Sequence, residues 1–115
     1  KLVNTKLHPQ DLLVSLTNRS VCSVQVAAII VDHHGCLSWG WNNSGEDGLG
    51  QHAEQHCLYR ANRRRLMGAT MYVAAKRKRN GKVGTAHPCE DCQMLLTKVG
   101  EVVYRNGEGE WRSLR

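Results

Sequence analysis

Residues 24–31, VQVAAIIV, form a β-branched apolar run too continuous for a strand wetted on one side. Such a strand must be covered on both faces, which commits the chain to layers around a central sheet. The covering is supplied nearby. Residues 9–18, PQDLLVSLTN, open with Pro and set Leu12, Leu13 and Leu16 on one face of a short helix. Asp32-His33-His34-Gly35 is a turn signal, so residues 36–41, CLSWGW, return as the second strand of a hairpin over 24–41. Residues 42–51 hold three Gly, two Asn and one Ser and must be a loop.

Helical spacing follows over 52–66, where Ala53, His56 or Cys57, Leu58, Ala61 and Leu66 share a face. Arg60, Arg63, Arg64 and Arg65 crowd its end, where cations suit the helix dipole, and Gly68 stops it. Residues 69–75 are a third strand, and Asn80-Gly81 signals a hairpin turn within the basic stretch 76–86. Pro88 opens a helix over 89–99 with Met94, Leu95, Leu96 and Val99 as its apolar side. Residues 101–105 are a fourth strand, and Asn106-Gly107 turns into a short tail containing Trp111. The order α-β-β-α-β-α-β contains two βαβ units, 36–75 and 69–105. The predicted fold is α/β, a three-layer α/β/α sandwich with a mixed central sheet.

A length of 115 residues suits one domain, 1–115. No Phe is present, so the core must be built from Leu, Val, Ile, Ala and Met. With 41% hydrophobic and 23% charged residues the chain is globular rather than disordered. No apolar run approaches the ~20 residues of a membrane span. No charged-then-apolar leader is visible, although a start at Lys1 leaves room for a removed upstream segment. Five cysteines, an odd number, argue against a closed disulfide framework. The expected setting is therefore cytoplasmic and reducing, with Cys22, Cys36 and Cys57 as small buried hydrophobes. The net charge of +6 favours anionic partners such as nucleotides or nucleic acid, or serves solubility alone.

The informative constellation is His52-Ala53-Glu54 at one helix start and Pro88-Cys89-Glu90-Asp91-Cys92 at another. Two thiolates and one imidazole suit Zn2+. A Cys-x-x-Cys turn at a helix N-terminus aims both sulfurs at one ion, and the exposed N–H groups there stabilise thiolates. Crossovers that lay both helices on one sheet face let His52 approach the pair. Three protein ligands leave a fourth position for water, as catalytic zinc does, and the ion lowers that water's pKa to roughly 7. Glu54, two residues past His52, can reach this water without binding the metal and shuttle its proton.

His-x-Glu followed by Pro-Cys-x-x-Cys is the signature of zinc nucleobase deaminases, and the chain closely resembles the cytidine deaminase-like superfamily. Val26–Asp32, Gly35 and Gly40-Trp41-Asn42 resemble the hairpin and Gly-aromatic-Asn loop before the metal motif, and Val102-Val103-Tyr104 the strand after it. The likeness spans roughly residues 20–105. It implies zinc on His52, Cys89 and Cys92, with zinc-hydroxide attacking C4 of a cytosine or C6 of an adenine. Glu54 would protonate the ring nitrogen and help ammonia leave. Asn42 would contact sugar or base, and the Ala53 N–H would hydrogen-bond the ring. Relatives are often oligomers, which implies self-association. Residues 76–87 depart from compact relatives, which run from strand to Pro-Cys almost directly. That insertion and the tail Tyr104–Trp111 resemble poorly characterised deaminase-like proteins.

The expected substrate is a cytosine-containing nucleoside or nucleotide. An alternative is a polynucleotide deaminase editing cytosine or adenine in single-stranded DNA or RNA. A non-enzyme alternative is a basic nucleic-acid-binding module with structural zinc, since His52, His56, Cys89 and Cys92 make a Cys₂His₂ set and His87 is a further ligand candidate. Reversed order, the wide separation of the pairs and the redundancy of Glu54 speak against it. Then His56 packs or supports a ligand, and His8, His33 and His34 are surface or turn residues. Nine of sixteen cations fall in 60–65 and 76–82, and Lys76, Arg77, Lys78 and Arg79 adjoin the metal loop, where they suit a phosphate or a polynucleotide backbone. Trp39, Trp41 and Trp111 belong to the core or stack on bases.

Overall fold

The computed structural model describes residues 9–33, 35–43, 50–61, 63–88 and 90–114. Helix α1 (Pro9–Leu16) runs into a 3₁₀ turn, Thr17–Arg19. Strands β1 (Val24–Asp32) and β2 (Gly35–Trp41) form the expected hairpin. Then follow α2 (Ala53–Arg60), a 3₁₀ segment (Arg63–Gly68), β3 (Thr70–Arg77), β4 (Val83–Gly84), α3 (Glu90–Leu96), β5 (Glu101–Arg105) and β6 (Trp111–Ser113).

The strands form one mixed sheet in the order β2-β1-β3-β5-β6, with β4 beside the end of β3. β1 is antiparallel to both β2 and β3, and β3 is parallel to β5. β2 and β3 therefore point the same way, although β1 lies between them. Both connections to helices leave the sheet at the edge formed by the carboxyl ends of these strands.

Alternation along β1 accounts for its continuous apolar run. Ala28 and Ile30 join Met71, Val73 and Val102 beneath Ala53 and Cys57 of α2 and Leu96 of α3. Ala27 and Ile29 point the other way, with Ala74, onto Leu13 of α1. This is the α/β/α layering, and its buried set contains Leu, Ile, Val, Ala and Met as the absence of Phe required. Each large aliphatic side chain so buried contributes about 1.5–3 kcal/mol. Cys57 is fully buried as expected, whereas Cys22 is half-exposed. The side chain of Cys36, and residues 1–8 and 34, lie outside the described residues. His33 is exposed in its turn.

Several boundaries differ from the sequence reading. The helix over 52–66 ends at Arg60, because Ala61 adopts extended backbone (φ −85°, ψ 150°). Tertiary backbone bonds draw the next segment onto the end of α3: Gly100 N–H donates to the Leu66 carbonyl at 3.0 Å and Glu101 N–H to that of Ala69 at 3.1 Å. Those bonds outweigh a modest helix propensity. The helix over 89–99 ends at Leu96, and Met94 is 75% exposed instead of lining the apolar side. Two positions along a helix are about 200° apart, so burying Leu96 turns Met94 outward. β3 runs on to Arg77 because residues 78–82 fold it back onto β4. Arg77 N–H donates to the Lys82 carbonyl at 2.9 Å, and Gly81 takes the left-handed φ of +69° that the Asn-Gly signal anticipated. β6 was not anticipated, since three residues carry no readable period. It pairs with β5 and sets Trp111 edge-on against Tyr72 at 6.1 Å. Among the described residues no helix is long and apolar enough to cross a membrane.

Gly40 sets how closely α2 approaches the sheet. A Cβ there would lie 2.5 Å from the Cys57 nitrogen, a backbone atom that cannot swing aside. Ser38 reinforces the contact by donating its hydroxyl to the Cys57 carbonyl at 2.7 Å. Gly40→Ala should cost about 1–3 kcal/mol by forced displacement of packed backbone, read as a lower urea midpoint. An unchanged midpoint would mean α2 is not held at that distance.

Candidate functional site

The loop after β2 delivers α2 to the carboxyl edge of the sheet. Asn43 and Gln51 pin its ends, each backbone N–H donating to the other's carbonyl at 2.9 and 2.8 Å. His52 follows at the cap position with extended backbone (φ −73°, ψ 153°). Its N–H donates to Gln55 Oε1 at 3.0 Å, and its carbonyl accepts the His56 N–H at 3.0 Å. Its backbone is thereby fixed while the imidazole projects from the helix start.

The ring meets α3. His52 Nδ1 lies 3.1 Å from Cys92 Sγ, and Cys92 is fully buried. Glu54, one residue into α2 beyond Ala53, is 5% exposed and is the buried acid among the described residues. Burial pushes its carboxyl above the ordinary 4.5, against the lowering pull of a hydrogen bond to its own backbone, the His52 charge and a hydrogen bond with Cys92. A carboxyl is rarely taken out of water without a compensating role, and clefts that shift a pKa in this way are where acid–base chemistry is found.

This donor set fits zinc. Nitrogen and sulfur at the usual bond lengths on one tetrahedral ion sit roughly 3.5 Å apart, a few tenths of an ångström from the observed separation. Among the described residues no set of three His, Cys, Asp or Glu donors is assembled. Cys89, the expected third ligand, lies outside them. Gln93 Nε2 donates to the Pro88 carbonyl at 2.9 Å and ties α3 to the chain just before Cys89.

The other histidines are engaged elsewhere. His56 Nδ1 lies 3.1 Å from the Trp41 nitrogen, which donates to it in the neutral ring, and 3.2 Å from the Trp41 carbonyl. Burial lowers its pKa below 6.5, with Trp41 opposing and Arg60 assisting. The exposed His87 turns Nδ1 to the Pro88 carbonyl at 3.0 Å and meets the Tyr104 ring edge-on at 4.8 Å.

Asn42 stitches the sheet. Its Oδ1 accepts the Ser20 hydroxyl at 2.5 Å and the Val26 N–H at 3.0 Å, and its Nδ2 donates to the Val24 carbonyl at 2.8 Å. A substrate contact from Asn42 would use its second Nδ2 hydrogen. Ala53 is the first residue of α2, where an N–H has no carbonyl within the helix to receive it. Lys76 turns to the α1 face and bonds the Asn18 side chain. Arg77 at the end of β3, and Lys78 and Arg79 in the turn after it, are exposed at the carboxyl edge of the sheet.

Two contributors escaped the sequence reading. Gln55 caps the His52 backbone, but a His at the cap position hides the usual capping signature. Arg105 inserts its guanidinium where β5 parts from β3 and donates to the Ala75 carbonyl at 3.2 Å, and burial lowers its pKa. Nothing in sequence separates it from the other arginines.

The sequence model of one protein family, described as the cytidine and deoxycytidylate deaminase zinc-binding region, matches residues 6–105. No curated protein matches the chain in sequence. Cytidine deaminase from Burkholderia pseudomallei is a structural neighbour at 18% identity, with TM-score 0.64, over 93% of this chain and 91% of that one. The dCMP deaminase from the cyanophage S-TIM5, in its complex with dCMP and dUMP, is another, at 23% identity, TM-score 0.60 and 90% of each chain.

Two measurements check these placements. Asn42→Ala should lower stability by about 1–3 kcal/mol, because the Val26 N–H loses its side-chain acceptor. A urea midpoint equal to the parent's would free Asn42 from this structural role. His56, held below 6.5 in the fold, takes a proton less readily folded than unfolded. Its stabilisation is complete above 6.5 and is lost as pH falls through the lowered value. The fall in melting temperature from about pH 7 to about pH 5 should be smaller in His56→Gln, and an equal fall would contradict the assignment.

Proposed function

The chain belongs to the cytidine and deoxycytidylate deaminase zinc-binding family, and from that premise we propose that residues 1–115 form one zinc-dependent domain that hydrolytically deaminates a cytosine-containing nucleoside or nucleotide. The meeting of His52 Nδ1, Cys92 Sγ and the buried Glu54 carboxyl carries this reading.

In it, His52, Cys92 and Cys89 would hold Zn2+. Bound zinc supplies a Lewis acid that makes water a nucleophile near neutral pH. Glu54 moves the protons: it takes one from the attacking water and gives it to ring N3 as the water oxygen bonds to C4, then takes the proton of the new C4 hydroxyl and gives it to the exocyclic amino group. Water thus adds across the N3=C4 bond, the bond from C4 to the exocyclic nitrogen breaks, ammonia leaves and a uracil ring remains. Burial suits Glu54 to this, because it stabilises the protonated form the second transfer needs. The Ala53 N–H at the start of α2 would donate to the pyrimidine, and Asn42 would contact the sugar or base with its remaining donor. Arg77, Lys78 and Arg79 add positive potential at the same sheet edge, which favours a phosphorylated substrate. Thiol ligands need a reducing compartment, so the reading carries an intracellular location with it.

Glu54→Gln decides the central role. It should lower ammonia release about 10²–10⁴-fold while zinc content by elemental analysis stays that of the parent. Parent-level turnover in the variant would remove Glu54 from the chemistry, and parent protein without zinc would remove the metal. Cytidine, dCMP, adenosine and a single-stranded oligonucleotide, each assayed for its deaminated product, name the substrate. Turnover of the oligonucleotide alone would replace the free-nucleotide assignment.

A further inference from the structure

A second feature of the molecule lies outside the His52–Cys92–Glu54 cluster. Trp39 and Trp41 stand on β2, the strand at one end of the sheet order. Trp39 is 40% exposed, too much for a core side chain. The Arg60 guanidinium reaches from the end of α2 over both rings, 4.9 Å from the Trp39 centroid and 5.9 Å from that of Trp41. Arg19 covers Trp41 at 5.5 Å.

The end of β3 and the turn after it are tied to the segment that carries Arg19. Lys76 bonds Asn18, the neighbour of Arg19, and the Lys78 N–H donates to the Ser23 carbonyl at 2.9 Å. Arg19, Trp41, Arg60 and Trp39 thus form one cationic and aromatic strip along β2, with Lys76 held beside Arg19 through Asn18.

We propose that this strip binds single-stranded nucleic acid. A single strand presents phosphates along one side and unstacked base faces along the other, and the strip presents cations beside indole faces. An Arg stacked on a Trp keeps its N–H edge for phosphate, and the exposed part of Trp39 offers a platform for a base. Because Arg60 already holds both rings, little side-chain freedom is lost on binding. The net charge of +6 supplies the attracting field. A duplex offers the phosphates but hides its base faces, so the strip discriminates against it. Binding here is independent of the proposed deamination, since the strip uses none of the residues assigned to zinc or proton transfer, and it stands whether the polymer is a substrate or a tether.

The test is fluorescence anisotropy of dye-labelled oligothymidine, oligouridine and a duplex of equal length, over a range of salt, without turnover. Intrinsic tryptophan emission of the unmodified protein is followed in parallel. Either single strand should bind at least about tenfold more tightly than the duplex and quench the emission. Affinity should fall with log salt at a slope of about −0.7 per phosphate contacted. Trp39→Ala and Arg60→Gln should each weaken binding about fivefold or more, with circular dichroism confirming the fold. If Trp39→Ala does not fold, Arg60→Gln and the quenching of the parent decide. Equal affinity for duplex and single strands, absence of quenching, or parent-level binding by Arg60→Gln overturns the proposal. Ammonia release from free nucleotides is measured separately, so failure of one assignment leaves the other intact.

Discussion

The approach of His52 to Cys92 depends on β2 and β3 running in the same direction with β1 antiparallel between them. That arrangement sends two chain crossings out of the sheet at one edge and returns them as α2 and α3 over one face. The first turns of both helices then lie together, as ligand-binding ends do in open α/β sheets. Forty residues separate His52 from Cys92 in the chain, and the shared strand direction closes that distance to 3.1 Å. The packing that permits it is made of small residues. Gly40 admits the backbone of α2 onto β2, and Ala28, Ala53 and Ala75 keep the layer beneath the helices thin.

Much of the polar machinery of this edge serves geometry before chemistry. Asn42 spends most of its amide on β1 and Ser20, Gln55 holds the His52 backbone, and Gln93 holds that of Pro88. Glu54 is different in kind. It is a carboxyl set among Cys92, His52 and the start of a helix, and burial pushes its pKa up. The hydrogen bonds and charge around it pull the other way, the kind of competition by which a site tunes an acid–base group.

Residues 76–87 shape the surroundings of the edge rather than its centre. As the β3–β4 hairpin they extend the sheet beside β3, and Lys76 bonds Asn18 of the 3₁₀ turn that follows α1. Arg19 and Arg60 stack on the tryptophans of β2, the strand at one end of the sheet order, and make its flank basic and aromatic.

Local signals in the sequence determined the element types. The two-sided run in β1, the Asn80-Gly81 turn and the helix that follows Pro88 each state a short-range preference that the fold keeps. The candidate ligands and Glu54 were legible for the same reason: metal and proton chemistry accept few residue types, and their spacing on a helix start is local. Tertiary structure alone decided the rest. Where α2 ends depends on hydrogen bonds from Gly100 and Glu101, residues far along the chain. Lys76 is drawn to Asn18 on the opposite face, while Arg77 to Arg79 stay at the open edge, although the four are adjacent in sequence. The stacking of Arg19 and Arg60 on Trp41 joins three separate elements. A sequence records which groups are available and what the nearest backbone prefers; which distant groups meet is settled by strand order and layer packing, energies that exist only once the chain has closed on itself.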